Sequence, residues 1–374
     1  MRPFVQRPLV HLLSATVALA IGAADAAAAE PKPEVVVQGL SDPWSLAFLP
    51  DGRMLVTERT GSIRIATPDG RLAPPLTGLP PVDVGGQCGL LDVAVDPEFA
   101  RNAFIFWTFA EPAPQGQRGN STAVARGRLV GDRLEDVKTI FSQKPKIASR
   151  AHCGSRIVFD RSGHLLVGLG DRFSERDQAQ NPANHLGKII RIDREGKAPA
   201  DNPFVKRDGT APEIWSLGHR NIQGAALHPA TGELWQSEHG PQGGDEINIA
   251  KAGHNYGWPL VTYGRNYGSG TVIGEEGPKP GFDQPLRHWV PSVAPSGLAF
   301  VTSDRYPGWK GNLLMGTLRE QKLIRLTLDG RRITDEERLL GDLKLRIRDV
   351  RQGPDGLIYF VTEGAPGRVW RLVP

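Results

Sequence analysis

Five segments of the chain are rich in Gly, His, Arg and Asn and look unlike plain structural loops. They are residues 84–92, 151–156, 218–224, 237–259 and 345–349. Their side chains could move a proton, hold an anion or contribute oxygen ligands to a metal. Imidazole titrates near neutral pH and suits proton abstraction. The forked donors of arginine suit carboxylates. The segments therefore indicate a polar binding or catalytic site.

The elements that must position these segments repeat along the chain. An apolar alternating run, a turn of Pro, Asp or Gly, and a second β-rich run recur in six copies. The copies span residues 46–57, 91–107, 157–168, 225–235, 298–315 and 350–361. Alternation is typical of a half-buried strand, and the turn residues tolerate positive φ. Six small antiparallel sheets predict an all-β, six-bladed β-propeller, with a pair of β-sandwiches as the alternative.

The same pattern predicts how the ring closes and where a ligand would bind. Residues 34–37 could pair with the last blade. Four further runs, 62–65, 188–192, 322–326 and 368–372, are expected as outer strands. Propellers bind ligands on loops at the mouth of the central channel. Because each polar segment flanks a candidate innermost strand, we expect all five to converge on one end of that channel.

The first 29 residues are typical of a secretory signal peptide. Arg2 and Arg7 make a basic start, an apolar stretch covers 9–24, and an alanine-rich Ala-x-Ala site follows. A membrane anchor is the alternative, although the run is short and broken for a span. Cleavage near Ala29 leaves residues 30–374 as the propeller domain and lowers the net charge from +4 to +3. We expect a periplasmic protein, in a compartment that permits disulfides.

Composition excludes several classes of protein. The 374 residues carry interspersed charges with no Lys/Arg block, so nucleic-acid binding is not favoured. A mean hydropathy of −0.30 with a single apolar run excludes a polytopic membrane protein. Two cysteines exclude a disulfide-stapled miniprotein. His185, His219, His228 and His254 lack metal-ligand spacing, so zinc is not expected.

Three stretches carry a family resemblance. They are GHRN-x-QG at 218–224, EHGP-x-GGDEIN at 238–248 and NYGWP at 255–259. In them the sequence resembles the soluble PQQ-dependent aldose sugar dehydrogenases, relatives of soluble quinoprotein glucose dehydrogenase. The resemblance extends from residue 42 to 372. It implies oxidation of aldoses at C1 to lactones with the cofactors PQQ and Ca2+.

The resemblance also implies roles for individual residues. It makes His152 the general base that takes the proton of the anomeric hydroxyl while hydride leaves C1 for C5 of PQQ. The implied cofactor-binding residues are Gln87, Arg220, Asn221, Tyr267, Arg319, Arg346 and Arg348. For His152 the alternative is a surface-loop histidine. For Arg346 and Arg348, an i, i+2 pair on a strand, it is a salt-bridged surface ladder.

Calcium is implied at two places. The backbone carbonyls of Gly240 and Pro241 are implied ligands of an ion that contacts PQQ, and Glu246 and Tyr256 are implied ligands of a second, structural ion. Carbonyl oxygens are hard ligands that suit Ca2+. The alternative for residues 245–246 is a solvated acidic turn.

Two pairs of residues near these segments leave alternatives open. Cys88 follows Gln87, and Cys153 follows His152. If both loops meet over the cofactor, a disulfide between these cysteines is a hypothesis; two independent buried thiols are the alternative. Trp258 and Trp289 lie near the polar segments, and either could line a sugar pocket.

The expected partners are a small aldose and an unidentified external electron acceptor, since no C-x-x-C-H haem motif is present. No nucleic acid and no membrane span are expected in the mature form, which would be a monomer or homodimer. Two other functions stay open: a redox-inactive propeller that binds sugar or a partner, and a Ca2+-dependent lactonase-like hydrolase. The hydrolase would prefer a carboxylate-ringed calcium at the channel centre, whereas the predicted mouth is rich in arginine.

Overall fold

Twenty-four strands between residues 32 and 373 build six four-stranded antiparallel sheets. The computed structural model describes residues 30–374 together with Met1 and Pro3; the rest of the predicted signal peptide lies outside the described residues. In chain order the strands are β1 Lys32–Leu40, β2 Pro43–Phe48, β3 Met54–Glu58, β4 Ser62–Ala66, β5 Leu72–Pro75, β6 Leu90–Val95, β7 Phe104–Pro112, β8 Asn120–Val130, β9 Arg133–Ser142, β10 Ile157–Phe159, β11 Leu165–Gly168, β12 Lys188–Ile192, β13 Ile214–Leu217, β14 Ile222–Leu227, β15 Leu234–Glu238, β16 Asp245–Ala250, β17 Arg287–Trp289, β18 Pro295–Phe300, β19 Leu313–Thr317, β20 Leu323–Asp329, β21 Arg332–Leu339, β22 Ile347–Gln352, β23 Ile358–Thr362 and β24 Gly367–Val373. The described helical pieces are α1 Phe99–Asn102 and the 3-10 turns Arg176–Gln180 and Gly341–Leu343.

Each sheet uses strands that are consecutive in the chain, except the last. Strands β2–β5, β6–β9, β10–β13, β14–β17 and β18–β21 form five blades. The sixth blade contains β22, β23, β24 and β1. The six predicted repeats supply the first two strands of each blade. The predicted six-bladed β-propeller is confirmed.

The ring closes where its two ends meet. Strand β1 pairs antiparallel with β24, with Glu34 opposite Arg371 and Val37 opposite Val369. The predicted pairing of residues 34–37 with the last blade is therefore confirmed. In the closed ring, β1 forms hydrogen bonds with β24, so that β24 has no free edge.

The prediction of outer strands was wrong in one respect. The runs at 62–65, 188–192, 322–326 and 368–372 belong to β4, β12, β20 and β24, the third strands of their blades. A fourth strand covers each, and every residue of β12 is buried. The true outer strands were missed because they are short or polar; β21, for example, has the largely exposed sequence RITDEERL.

Apolar side chains pack between neighbouring blades and not within a single one. One cluster joins Leu55 and Ile63 of the first blade to Trp107 and Ala125 of the second. Comparable clusters occupy the other five interfaces between blades. Full burial of each large side chain contributes about 1.5–3 kcal/mol. The rigid ring that results carries the loops at its ends. Within the described residues, no helix is long and apolar enough to cross a membrane.

The axis of the ring is filled by an ion network. Arg156 Nη1 donates to Asp92 Oδ1 on β6 at 3.2 Å and forms an ion pair with Asp349 Oδ1 on β22 at 3.0 Å. Arg351 donates to the same two carboxylates, and Ser45 on β2 completes the group. Because the carboxylates are paired with arginines, the channel centre does not offer the ring of free acids that a hydrolase calcium would need.

Candidate active site

Loops at one end of the ring enclose a cavity of about 260 Å³. The segments preceding β10, following β11 and preceding β14 contribute to it, together with those following β15 and β16. Its lining residues are His152, Asp171, Phe173, Ser174, Arg176, Arg220, Pro241, Trp258, Asn266, Tyr267 and Ile273. Of the residues predicted for the site, His152, Arg220, Tyr267 and Pro241 meet around this space.

His152 lies in the wall of the cavity and is paired with an acid. Its Nδ1 is 2.6 Å from Asp171 Oδ1. The other oxygen of Asp171 accepts from Trp258 Nε1 at 2.8 Å, and the backbone N–H of Phe173 donates to Oδ1 at 2.8 Å. These contacts fix the orientation of the carboxylate. They also fix the imidazole, whose Nε2 makes no hydrogen bond to any described residue.

Burial and charge set the protonation of this pair. Burial lowers the pKa of His152, and the nearby charges of Arg220 and Arg172 lower it further, against the opposing effect of Asp171. Burial alone would raise the pKa of Asp171, but the hydrogen bond and charge of His152 and the charge of Arg220 hold it below its usual value. At neutral pH the acid is therefore ionised and the imidazole is neutral. Nδ1 then carries the hydrogen, and Nε2 has a free lone pair.

The backbone around His152 is held by the loop that contains Gln87. The amide oxygen of Gln87 accepts from the His152 backbone N–H at 2.8 Å. Beside them Cys88 and Cys153 form a disulfide with a Cα–Cα distance of 5.8 Å, and both residues are buried. The disulfide hypothesis is confirmed. The side chain of Gln87 thus contacts the backbone of His152, the proposed base.

Arg220 presents a buried guanidinium to the cavity. Its Nη1 donates to the carbonyl oxygens of His239 and Gly240 at 3.0 and 2.5 Å. Its Nε has no hydrogen-bond partner among the described residues. The group lies over the rings of Trp258 and Tyr267, at 5.2 and 6.0 Å from their centroids. An unpartnered buried donor is costly, and an anionic ligand at this wall would satisfy it.

The other predicted arginines are placed differently. Arg348 is buried on β22 and donates to Glu363 Oε2 through Nε at 3.1 Å and Nη2 at 2.5 Å. Arg346 precedes the strand, is half-exposed, and lies 3.5 Å from the same carboxylate. Arg319 is exposed and donates to the carbonyl oxygen of Ser292 at 3.1 Å. Arg346 and Arg348 therefore share one carboxylate, that of Glu363.

A chain of hydrogen bonds links Arg348 to the loop of the proposed base. Arg348 Nη1 donates to Gln223 Oε1 at 2.9 Å, and Gln223 Nε2 donates to Asn221 Oδ1 at 3.2 Å. Asn221 Oδ1 also accepts from the backbone N–H of Gly154, two residues after His152, at 3.2 Å. Asn221 is fully buried, and in this structure it acts as a support of the loop.

His239 lies among the same cations. Its Nε2 is 2.8 Å from the carbonyl oxygen of Pro295. Burial and the charges of Arg348 and Arg220 lower its pKa to about 3. His239 is therefore neutral at physiological pH and adds no positive charge to the site.

A second acidic cluster lies behind Arg220. Glu238 and Glu246 face each other across β15 and β16. Burial and the charge of Glu238 raise the pKa of Glu246 to about 8. Glu238 keeps a lowered pKa because, although burial opposes ionisation, His219 and the Arg220 backbone N–H favour it. The side-chain oxygen Oδ1 of the neighbouring Asn248 has no hydrogen-bond partner among the described residues.

This cluster tests the predicted calcium ligands. Two carboxylates and an unpartnered amide oxygen are the donors that a hard cation takes, so Glu246 fits a structural calcium ion. Tyr256 lines the same small space, but its hydroxyl donates to the carbonyl oxygen of Ile249 at 2.5 Å. The carbonyl oxygen of Gly240 already accepts from Arg220, so a cation there would share this oxygen. In the part of the chain that the structure describes, no group of three His, Cys, Asp or Glu side chains is arranged for a metal.

Sequence reasoning missed several residues that the cavity brings together. Asp171 was not singled out, nor were Phe173 and Arg176. A signal was present: acids occur at the end of the second strand, or within three residues after it, in five blades, namely Glu58, Asp171, Glu238, Glu320 and Glu363. Of the two tryptophans left open, Trp258 lines the cavity, whereas Trp289 packs in the core between two blades.

Fold and cavity together define a β-propeller protein with a buried His–Asp pair and a buried arginine in the wall of one cavity. A family model described as glucose/sorbosone dehydrogenase matches residues 40–371. The chain is 43% identical over 346 residues to aldose sugar dehydrogenase YliI of Escherichia coli, covering 91% of this chain and 92% of that protein. The chain therefore belongs to the glucose/sorbosone dehydrogenase family and is an oxidoreductase.

Solved structures agree with this assignment. A structure described as a glucose dehydrogenase has a TM-score of 0.88 and 46% identity, covering 92% of this chain and 99% of that one. The PQQ-bound form of an aldose sugar dehydrogenase from Streptomyces coelicolor has a TM-score of 0.74 and 29% identity, covering 92% and 98%. The family and its propeller fold are thus supported by sequence and by structure.

Proposed function

We propose that this protein oxidises aldose sugars at C1 to lactones, using PQQ and Ca2+ and passing electrons to an external acceptor. The observation that carries the proposal is the buried His152–Asp171 pair, whose free imidazole nitrogen accompanies Arg220 in the wall of one cavity. The names of the similar proteins support aldoses as substrates and PQQ as cofactor. Residues 1–29 support export to the periplasm.

His152 is proposed as the general base. Ionised Asp171 accepts from Nδ1–H and so leaves the Nε2 lone pair available for the proton of the anomeric hydroxyl. As that proton transfers, the carboxylate stabilises the imidazolium that forms, which is how an oriented acid assists a histidine base. Trp258 and the Phe173 backbone hold Asp171 in place during the transfer.

The residues around the cavity fit PQQ, which is a tricarboxylate. Arg220 offers an unpartnered Nε, and Arg348 offers a second guanidinium, which contacts Glu363 and Gln223. Gln87, Asn221, Tyr267, Arg319 and Arg346 are the further proposed contacts. When bound, PQQ supplies the acceptor for the hydride that leaves C1. The protein's own contribution is to bind the carboxylates, orient the sugar and accept its proton.

Calcium is proposed at the predicted positions, Gly240 with Pro241 and Glu246 with Tyr256. The donor chemistry favours the Glu246 position, where the Glu246 carboxylate has no salt bridge and Asn248 Oδ1 no hydrogen bond among the described residues. At Gly240 an ion would compete with Arg220 for the carbonyl oxygen. Calcium bound there would act as a Lewis acid beside the cofactor site.

The test is dye-linked oxidation of a panel of aldoses by purified mature protein. It is run with EDTA, with Ca2+ alone, and with Ca2+ plus PQQ. Activity only in the last condition supports the proposal. A PQQ-induced absorbance change without turnover would contradict aldoses as the substrates. No absorbance change and no turnover would leave a redox-inactive binding propeller as the better explanation, and lactone hydrolysis without PQQ would favour the hydrolase.

A further inference from the structure

We propose that Arg172 and the Cys88–Cys153 disulfide form a clamp that positions His152 for catalysis. Here "clamp" means these three residues only. The inference rests on the proposed function, because it assigns the clamp to the base of that reaction. None of the three touches the reacting atoms in this proposal; they act through the segment 149–153.

Arg172 holds the segment that leads into His152. Its Nε donates to the carbonyl oxygen of Ala151 at 3.1 Å, and its Nη2 donates to that of Ser149. The same guanidinium donates to the carbonyl oxygen of Asn120 at 3.2 Å and to its side-chain oxygen at 2.6 Å. One side chain thus ties the loop to the first residue of β8. The planar fork of arginine is what allows several carbonyls to be held at once.

The charge of Arg172 is not explained by an ion pair. The residue is completely buried, and it forms no salt bridge within 4 Å to a carboxylate of the described chain. Asp171 and Asp83 act on it only through space, and burial lowers its pKa to about 10. A buried cation without a direct partner is costly. Its hydrogen bonds to the loop carbonyls give the reason for keeping it there.

The disulfide holds the other side of the base. Cys153 follows His152 directly, and Cys88 follows Gln87, which accepts from the His152 backbone N–H. The covalent link therefore fixes the spacing between the two loops that this hydrogen bond joins. Arg172 Nη2 also lies 3.7 Å from Cys88 Sγ. The arginine and the disulfide are consequently one contiguous group.

The backbone at and around His152 adopts conformations that are unfavourable for non-glycine residues. His152 has a φ of +48° and Ser155 a φ of +106°, while Arg172 and Phe173 have φ values of +63° and +67°. Non-glycine residues persist in this region only when their surroundings fix them. A Cβ at Gly170 would lie 1.9 Å from the carbonyl oxygen of His152. Without the clamp, we expect the backbone of His152 to relax away from this arrangement.

The experiment compares two ways of opening the clamp. One is the double variant Cys88→Ala/Cys153→Ala, which removes the bond without leaving a free thiol. The other is Arg172→Met, accompanied by Arg172→Lys as the conservative change. The matched control is Arg191→Met: Arg191 is also buried but is ion-paired with Asp160 and Asp201 and does not line the cavity. If the double variant does not fold, the two Arg172 variants still test the proposal.

The first readout is steady-state kcat and KM for an aldose that the wild-type protein oxidises. Displacing a catalytic group by about 1 Å can cost on the order of a hundredfold in rate. We expect kcat to fall about tenfold or more in the double variant and in Arg172→Met, with KM changed much less, and Arg172→Lys to fall between. The control should lower the Tm while keeping kcat.

The second readout does not need activity. In cofactor-free protein, the imidazole signals of His152 are followed by NMR against pH and are identified by their loss in His152→Gln. Because burial lowers the pKa of His152, opening the clamp should move that pKa upward, towards the ordinary value of a histidine. The Cys88→Ala/Cys153→Ala and Arg172→Lys variants decide this readout, because Arg172→Met also removes a charge that lowers the same pKa. The control variant should leave it unchanged.

The two readouts separate the possible failures. A folded double variant and a folded Arg172→Met variant with kcat within twofold of the wild type would overturn the clamp, as would an unchanged His152 titration. If wild-type protein oxidises no aldose, the proposed function fails. The NMR titration then still decides whether these residues hold His152.

Discussion

His152 and His219 are both buried, and the Nδ1 atom of each ring lies beside a carboxylate oxygen. The distances are 2.6 Å to Asp171 and 3.1 Å to Glu238. The second nitrogen differs. His219 Nε2 is 2.8 Å from Ser216 Oγ, whereas His152 Nε2 has no hydrogen-bond partner among the described residues.

The surroundings of the two rings also differ, because only the His152 ring borders the cavity. His219 is completely buried and is stacked on Tyr256 with centroids 4.7 Å apart. His152 lines the cavity and packs edge-on against Phe173. An imidazole–carboxylate pair is therefore not by itself a catalytic site. What makes one pair a candidate base is an unused nitrogen beside space for a ligand.

The largest effect is expected from His152→Asn. General-base catalysis typically contributes 10²–10⁴-fold, so turnover should fall by about that factor while PQQ binding is retained. Steady-state kinetics and PQQ absorbance titration measure the two quantities. His219→Gln is the matched change: it should lower the Tm and leave kcat within a few fold. Equal losses of kcat in both variants would contradict the distinction between the two histidines.

A smaller effect is expected from Asp171→Asn. The amide carries no charge to stabilise the imidazolium, and its N–H groups can favour the wrong tautomer of His152. Because the imidazole itself is retained, we expect kcat to fall by less than in His152→Asn. The negative charge of Asp171 raises the pKa of His152. Its removal should therefore move the acid limb of the kcat/KM–pH profile to lower pH. An acid limb that stays in place or moves to higher pH would argue against His152 as the titrating base.

The smallest expected effect is on thermal stability and comes from the raised pKa of Glu246. Asp171 has a lowered pKa, whereas Glu246, beside Glu238, has a pKa raised from 4.5 to about 8. Between pH 4.5 and about pH 8, the folded, metal-free protein keeps a proton on Glu246, whereas the unfolded chain has released it. The free energy of unfolding should therefore fall as the pH rises from about 4.5 to about 8. Calcium favours the ionised form and should raise the Tm more at pH 8 than at pH 6, by on the order of a few degrees.

Thermal unfolding in EDTA and in Ca2+ at the two pH values tests this expectation. Glu246→Gln should remove both the pH dependence and the response to calcium. Glu213→Gln, at a carboxylate whose pKa is lowered by His185, should keep the calcium response. The idea fails if calcium raises the Tm of Glu246→Gln as much as that of the wild type.

Much of the fold was predictable because its signals are local. Alternation and turn chemistry act over about ten residues, so each pair of inner strands was visible in the chain. The third strands were recognised as strands but placed at the edge, since neither sequence nor periodicity shows what covers an apolar strand such as Lys188–Ile192. The polar fourth strands carry almost no local signal of their own.

The site was predictable in its components but not in its pairings. His152 and Arg220 were identified through their motifs, and both line the cavity. Asp171 was missed because its partner is 19 residues away, on another loop. Arg346 and Arg348 were predicted as cofactor contacts, and the sequence did not show that Glu363, the residue after β23, pairs with both. Which charges meet is a property of the assembled ring.

By itself, the sequence determined the repeating blades, the closure of the ring through residues 34–37, and the family through its polar motifs. These follow from interactions between near neighbours in the chain and from residue types. Only the tertiary structure decided which histidine keeps a nitrogen without a hydrogen bond, which carboxylates pair with which arginines, and whether the two cysteines are linked. Those outcomes depend on distances between loops of different blades, and the packing of the blades around a common axis fixes these distances.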